Sequence, residues 1–353
     1  MLRTLRQRVT VTDIIIWVIG LAIAGVVIWG TISTLEQGRY SASGWLDLTI
    51  KGLALGGVYA LIAMGYTMVY GILKMINFAH SEVFMSGPFT AAFVALGLST
   101  SGFLDKQPVI GLIIITLASM TVSTVIAVLL ERICYRPLRN APRLVPLITA
   151  IGASFFLQYA FRGFYGSGSK GYPTFTILQG TFNIFGFTIF KVQTVVILSA
   201  IVMMVILYGL VQWTKIGKAM RAVSEDKEAA ELMGINVDSI IVFTFGLGGA
   251  SAGAAGILYV LLFPVVNFYM GFFPGIKAFT AAVLGGIGNV PGAFLGAIIL
   301  GLLESVGPNL FLTGLGIPSP SQLKDAIAFV VLVLILIFRP TGILGERISR
   351  DKA

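Results

Sequence analysis

The sequence predicts an all-α fold, a polytopic transmembrane helical bundle of about 8–10 spans with re-entrant or broken segments. Three observations predict it. Of 353 residues, 57% are hydrophobic and only 11% charged, too few charges to clothe a water-soluble domain of this length. The mean hydropathy is +0.94, and several apolar runs approach the roughly 20 residues that cross a bilayer. Alternating segments of about ten residues, the mark of a membrane β-barrel, are missing.

The first apolar run, 14–29, follows Arg3, Arg6 and Arg8 much as a signal peptide follows its charged start. No small-residue cleavage site of the Ala-x-Ala kind follows it, and Trp17 and Trp29 bracket it as interface anchors do. It is therefore expected to stay as a first span or signal anchor. Spans are expected over 13–32, 50–72, 83–98, 109–130, 144–161, 194–213 and 240–263. A short, glycine-interrupted segment follows over 276–287, then spans over 292–306 and 324–338. The short segments fall below the roughly 20 residues of a full crossing, so some are expected to be re-entrant.

Charge orients these segments. With the N-terminus inside, sixteen of the 24 Lys and Arg fall in inner loops: Arg3, Arg6, Arg8, Lys74, Arg132, Arg136, Arg139, Arg143, Lys215, Lys218, Arg221, Lys227, Arg339, Arg347, Arg350 and Lys352. That asymmetry is the one expected of cytoplasmic loops. It puts both chain ends inside, which requires an even number of crossings. The net charge of +9 is accounted for in this way, and no soluble module exists to present a nucleic-acid patch. Cys134 is the single cysteine and His80 the single histidine, so there is no intrachain disulfide and little material for a redox or metal enzyme. No cofactor is expected, and a G-x-x-x-x-G-K-[ST] phosphate loop is absent.

The longest outer stretch, 162–193, alternates aromatic and β-branched residues with Gly, Ser and Thr. It suits a short hairpin or an interfacial helix, either as a cap that meets a binding protein or as a structured loop with no partner. Pro318-Ser319-Pro320 marks another outer turn. Gly246, Gly249, Gly253 and Gly256 lie on one helical face, and Gly52/Gly56 and Gly292/Gly296 are further small-x-x-x-small pairs. Such faces let helix backbones approach in lipid, so they are read as packing contacts.

Four stretches carry polar chemistry. The first is 215–240, which holds nine of the chain's 39 charged residues between two apolar runs and so must face water. Inside it, Glu228-Ala229-Ala230 followed by Gly234 suits a short helix with a small face, closed by a left-handed glycine. The alternative is an ordinary amphipathic loop. The second is 74–82, where Asn77, His80 and Glu82 are polar groups at the inner end of a pair of spans. A lone histidine among apolar residues is usually structural; the functional alternative is a gate at the inner mouth. Either way such groups need partners, because burying them unpaired costs about 1–3 kcal/mol each.

The third is 277–291, where Gly285, Gly286, Gly288 and Asn289 interrupt an apolar segment before Pro291. Irregular backbone at membrane depth must be packed in protein or line a wet cavity, and transporters place such breaks at substrate sites. A similar interruption over 71–87 makes the two possible counterparts in a pseudo-repeat. The fourth is Glu304, inside an apolar run, a functional candidate by position. A substrate ammonium, a structural lysine or water near the outer end of the span are the partners open to it.

The 228–234 stretch resembles the EAA loop of ABC importer permeases, which docks on the ATPase subunit. The resemblance extends further. Residues 57–72 (GVYALIAMGYTMVYGI) and 75–82 (MINFAHSE) resemble branched-chain amino acid (Liv-type) ABC permeases. So do Tyr135-Arg136-Pro137-Leu138, 278–288 (AFTAAVLGGIG) and 339–345 (RPTGILG). Two departures stand out: Ser81 occupies a position that is usually Gly in the family, and the 13–32 span is extra. The resemblance implies three parts: 1–47 as a cytoplasmic tail and extra first span, 48–346 as the permease domain with a coupling loop over 215–240, and 347–353 as a cytoplasmic tail. It implies a transport subunit, not an enzyme, in a bacterial inner membrane. Its partners would be a second permease, two ATPase subunits and a periplasmic or extracellular binding protein. Ser224, Glu225, Glu228, Ala229, Ala230 and Gly234 would couple to the ATPase. The cargo implied is branched-chain or other neutral amino acids, with urea or a short-chain amide as the alternative of the same kind. An ion-coupled carrier would need intramembrane acidic groups, for which Glu304 alone is a good candidate. A membrane-embedded enzyme lacks a clustered nucleophile, base or metal set.

Overall fold

The computed structural model describes residues 11–139, 141–142, 144–184, 187–339 and 341–345. Arg3, Arg6, Arg8, Arg143, Arg347, Arg350, Lys352 and the 347–353 tail lie outside the described residues. The helices in order are α1 (Val11–Gln37), α2 (Ala42–Leu73), α3 (His80–Thr100), α4 (Phe103–Lys106), α5 (Pro108–Leu130), α6 (Leu144–Tyr165) and α7 (Lys191–Trp213). They continue with α8 (Lys215–Glu225), α9 (Lys227–Leu232), α10 (Val237–Leu262), α11 (Phe272–Gly285), α12 (Val290–Gly307) and α13 (Lys324–Phe338). Among the described residues, nine helical segments are long and apolar enough to cross a membrane, and α11 is a shorter apolar helix. At 14 residues α11 rises only about 21 Å, short of the ~30 Å hydrocarbon layer.

The 32-residue α2 sits at the centre because it is apolar on every side, and such a helix must be buried. Helices α12, α10, α11 and α7 pack on it, while α5 packs on α10 and α3. The glycine faces set these crossings. Gly52 and Gly56 lie against the backbone of Ala297, Ile298 and Gly301 on α12, whereas Gly292 and Gly296 lie against Gly285 of α11. Gly249 and Gly253 seat α10 on the Ser119–Thr124 backbone of α5. The outer helices keep apolar side chains exposed, among them Leu21, Phe156, Ile206 and Val333, as lipid-facing surfaces do.

Several boundaries differ from the sequence expectation. Helix α3 begins at His80 and runs 21 residues with Pro88 inside it, longer than the 83–98 segment expected. Pro88 is tolerated because Gly256 of α10 leaves room for its ring. Helix α1 packs mainly on the π-turn Pro308–Leu312, where the Gly314 amide donates to Thr34 Oγ1 at 2.7 Å. The 162–193 stretch forms a hairpin, not an interfacial helix: β2 (Thr181–Ile184) pairs antiparallel with β3 (Phe187–Phe190). Beside it, β1 (Lys170–Gly171) pairs with β4 (Val265–Val266). At the opposite end, Arg136 and Arg139, just after α5, meet Asp238 in the first turn of α10, and α8 packs on α2, α7, α9 and α10.

Candidate functional site

The charged 215–240 stretch holds two helices, α8 and α9, and the coupling residues expected over 224–234 are divided between them. The break is at Asp226, whose backbone is extended (φ −149°, ψ 115°) and whose carboxylate accepts from the amides of Glu228 and Ala229 at 2.9 and 3.0 Å. An Asp in that position is a strong N-cap, so the split was legible in the Ser-Glu-Asp-Lys-Glu run. Helix α8 is tied to the end of α7. Thr214 Oγ1 accepts from the Gly217 amide at 3.0 Å, and Arg221 donates to the Val211 and Gln212 carbonyls at 3.1 and 3.2 Å. Arg221 therefore satisfies carbonyls that the end of a helix leaves open. Gly217, Met220 and Val223 form the buried face of α8.

Ser224 and Glu225 end α8, half-buried and exposed respectively. In α9, Ala230 is buried while Glu228, Ala229 and Glu231 are exposed. Gly234 takes φ +83°. Its amide donates to the Glu231 carbonyl at 2.9 Å and that of Ile235 to the Ala230 carbonyl at 3.1 Å, the paired bonds of a Schellman motif. Just before this cap, Leu232 and Met233 are 88% and 83% exposed. They form an apolar tip on an otherwise polar loop, which the sequence reading passed over although two apolar residues inside a charged run were its signal. Partial burial, reinforced by Arg139 and Lys74, pulls the Lys227 pKa below the usual lysine range.

The second place is the turn between α2 and α3. Lys74 closes α2 in the left-handed region at φ 54°. Asn77 Oδ1 accepts from the Tyr135 hydroxyl at 2.6 Å, and the Asn77 carbonyl accepts from the His80 amide at 3.1 Å. The His80 ring fills the notch left by Gly65 of α2 and Gly248 of α10 and meets Tyr66 edge-on at 4.9 Å. His80 Nε2 has no hydrogen-bond partner among the described residues. Glu82 Oε1 accepts from Ser81 (3.2 Å), Ser154 (3.2 Å) and Gln158 (2.8 Å), while Oε2 is unpaired among the described residues. Ser81 packs against Gly271 and Gly275 at the start of α11, which make room for the side chain this chain carries there.

Gly285, Gly286, Gly288 and Asn289 form the turn between α11 and α12, apart from the Asn77–Glu82 group. Gly286 and Gly288 have φ of +106° and +101°. The 341–345 segment straps this turn. Ile343 and Leu344 amides donate to the Leu284 and Gly285 carbonyls at 2.8 and 2.9 Å, and Asn289 Nδ2 donates to the Leu344 carbonyl at 3.0 Å. A β-carbon at Gly286 would run into the Gly345 backbone. Two stretches the sequence singled out separately thus fold onto each other.

Glu304 does not reach water. It is buried, and Lys277 Nζ of α11 donates to its Oε1 at 2.7 Å. The same ammonium pairs with Asp325 of α13 at 2.6 Å and lies over the Tyr59 ring at 5.8 Å. One lysine thus joins α11, α12, α13 and α2. Of the partners open to Glu304, the structure supplies the lysine.

Apolar spans around a largely buried central helix, a half-length helix closed by a glycine turn and a polar helical loop between two spans define a polytopic helical membrane protein. The narrower identity comes from comparison. A profile for the branched-chain amino acid transport system permease component matches residues 48–336, and the chain belongs to that family. It is 44% identical over 308 residues to the high-affinity branched-chain amino acid transport system permease protein BraD of Pseudomonas aeruginosa, covering 86% of this chain and 96% of that one. It is 40% identical over 310 residues to LivH of Escherichia coli K12, with the same coverage, and 28% identical over 296 residues (81% and 88%) to the probable LivH of Methanocaldococcus jannaschii. All of α1 lies before residue 48, where the family match begins.

Proposed function

We propose that this chain is the membrane-spanning subunit of an ATP-driven importer of branched-chain or other neutral amino acids. In this reading α8 and α9 dock on an ATPase subunit and carry its motion into the bundle. A second permease, two ATPase subunits and a substrate-binding protein complete the assembly, in a bacterial inner membrane with both chain ends in the cytoplasm, α11 and the 263–271 segment before it together making the tenth crossing. The observation that carries the reading is the pairing of the family match with an exposed apolar tip, Leu232 and Met233, on the strongly charged 215–240 loop. An apolar pair held out at a helix cap suits insertion into a partner's groove, with Glu228 and Glu231 beside it to set the docking angle. Helix α8, bonded to the end of α7 and packed on α2 and α10, is placed to pass on a push.

The cargo reading follows the relatives, and the apolar spans suit it. A binding protein that supplies affinity leaves the pathway needing few charges. The test is uptake into liposomes by the purified complex, with leucine and urea compared as cargo. Leucine uptake that requires ATP hydrolysis supports the proposal. Uptake driven by an ion gradient with the ATPases inactivated overturns it. Glu228→Arg and Gly234→Pro should leave membrane insertion intact and uncouple hydrolysis from uptake, since proline cannot take the φ of +83° found at Gly234. Normal uptake by both variants would remove the docking role from this loop.

A further inference from the structure

We infer that the Tyr135-Arg136-Pro137-Leu138 motif, with Glu131, Arg139 and Asp238, is the link that carries motion of the docking loop to the Asn77–His80 turn. This rests on the docking reading of α8 and α9. At its end α5 widens into a π-turn, Glu131–Tyr135, followed by a 3₁₀ turn, Arg136–Leu138. A π-turn inserts an extra residue and swings the next residues out of the α register. Here it leaves Tyr135 fully buried and sends Arg136 and Arg139 toward α10. Both guanidinium groups pair with Asp238, and Arg139 also pairs with the buried Glu131. Asp238 lies in the first turn of α10, four residues after Gly234. Any displacement of α9 therefore reaches it at once.

From there the contacts run inward without a break. The Tyr135 ring packs on Phe245 of α10 at 5.5 Å, and its hydroxyl donates to Asn77 Oδ1 at 2.6 Å. The Asn77 carbonyl holds the His80 amide, and the His80 ring sits between α2 and α10. Glu131 is buried, so parting it from Arg139 would strand its charge away from water, while the half-exposed Asp238 and Arg136 are held in register by charge-assisted hydrogen bonds. They transmit a shift where an apolar contact would slide. The link has two parts: a charged one at the loop and a hydrogen-bonded one at Asn77. Neither touches the apolar tip that docks. These are positioning residues, acting through the turn.

The test uses the complete complex with its ATPases and binding protein in liposomes, leucine as probe, and measures cargo taken up per ATP hydrolysed. Tyr135→Phe removes one hydroxyl, and Asp238→Asn removes one charge. Each should lower the ratio by roughly two- to thirtyfold, the range expected of a disrupted coupling, with complex assembly retained. The double variant should be no worse than the poorer single, since both cut one chain, and Asp238→Glu should keep the ratio. An unchanged ratio in both single variants, or uptake and hydrolysis falling in proportion, overturns the link. Glu228→Arg run alongside separates the two failures. If it uncouples while Tyr135→Phe and Asp238→Asn do not, the link alone falls. If it too leaves the ratio unchanged, the docking reading falls with it.

Discussion

Lys277 is 4% exposed and Glu304 3%, and an isolated charge so deep in a bundle would not survive. Each is kept because the other is there, with Asp325 as a second anion for one ammonium. Such a triad adds little net stability over well-packed apolar residues, but removing one member leaves the rest stranded. Lys277→Met is therefore expected to cost about 3–5 kcal/mol, read as an earlier transition when the purified protein is titrated with a denaturing detergent. Lys277→Met with Glu304→Met should recover most of that loss, because Asp325 is 37% exposed and can reach solvent. If the double variant is as unstable as the single, the triad is not the source of the cost.

At the scale of the element, α9 is six residues long, too short to persist alone in water. Its two ends hold it: Asp226 accepts two amides at the start, and Gly234 closes the finish. Asp226→Ala should lose about 1 kcal/mol of local stability. Hydrogen exchange over 226–235 should speed up several-fold with the spans unchanged, and uptake should fall as the tip loses its presentation. Unaltered exchange in that stretch would show that the cap is not what holds α9. Helix α11 is the opposite case. It is short because its start packs under Ser81 and its end turns at Gly286, and the 341–345 strap satisfies carbonyls that the break would otherwise leave open in lipid.

For the whole molecule, the question is orientation. The basic residues Lys74, Arg136, Arg139 and Lys227 gather at the end that carries α8 and α9, and the β2–β3 hairpin lies at the other. The positive-inside bias predicts that the first end faces the cytoplasm. Cys134→Ser removes the single thiol, so a cysteine placed by Met233→Cys or by Asn183→Cys can be labelled alone. A membrane-impermeant reagent applied from outside intact cells should label the second and spare the first. Labelling of Met233→Cys from outside would invert the topology and, with it, the docking of a cytoplasmic ATPase.

The nature of the bundle and the place of the charged loop between two spans followed from the chain alone, because hydropathy, charge and caps act over a few neighbouring residues. Even the Asp226 break was written locally. The pairing of Lys277 with Glu304, the bond from Tyr135 to Asn77, and the seating of 341–345 on the 285–289 turn were decided only by tertiary structure. Each joins residues on different elements, and the glycine faces determine which helices come close enough for them to meet. A sequence shows that Glu304 needs a partner; only the packing of α11 against α12 brings Lys277 to it.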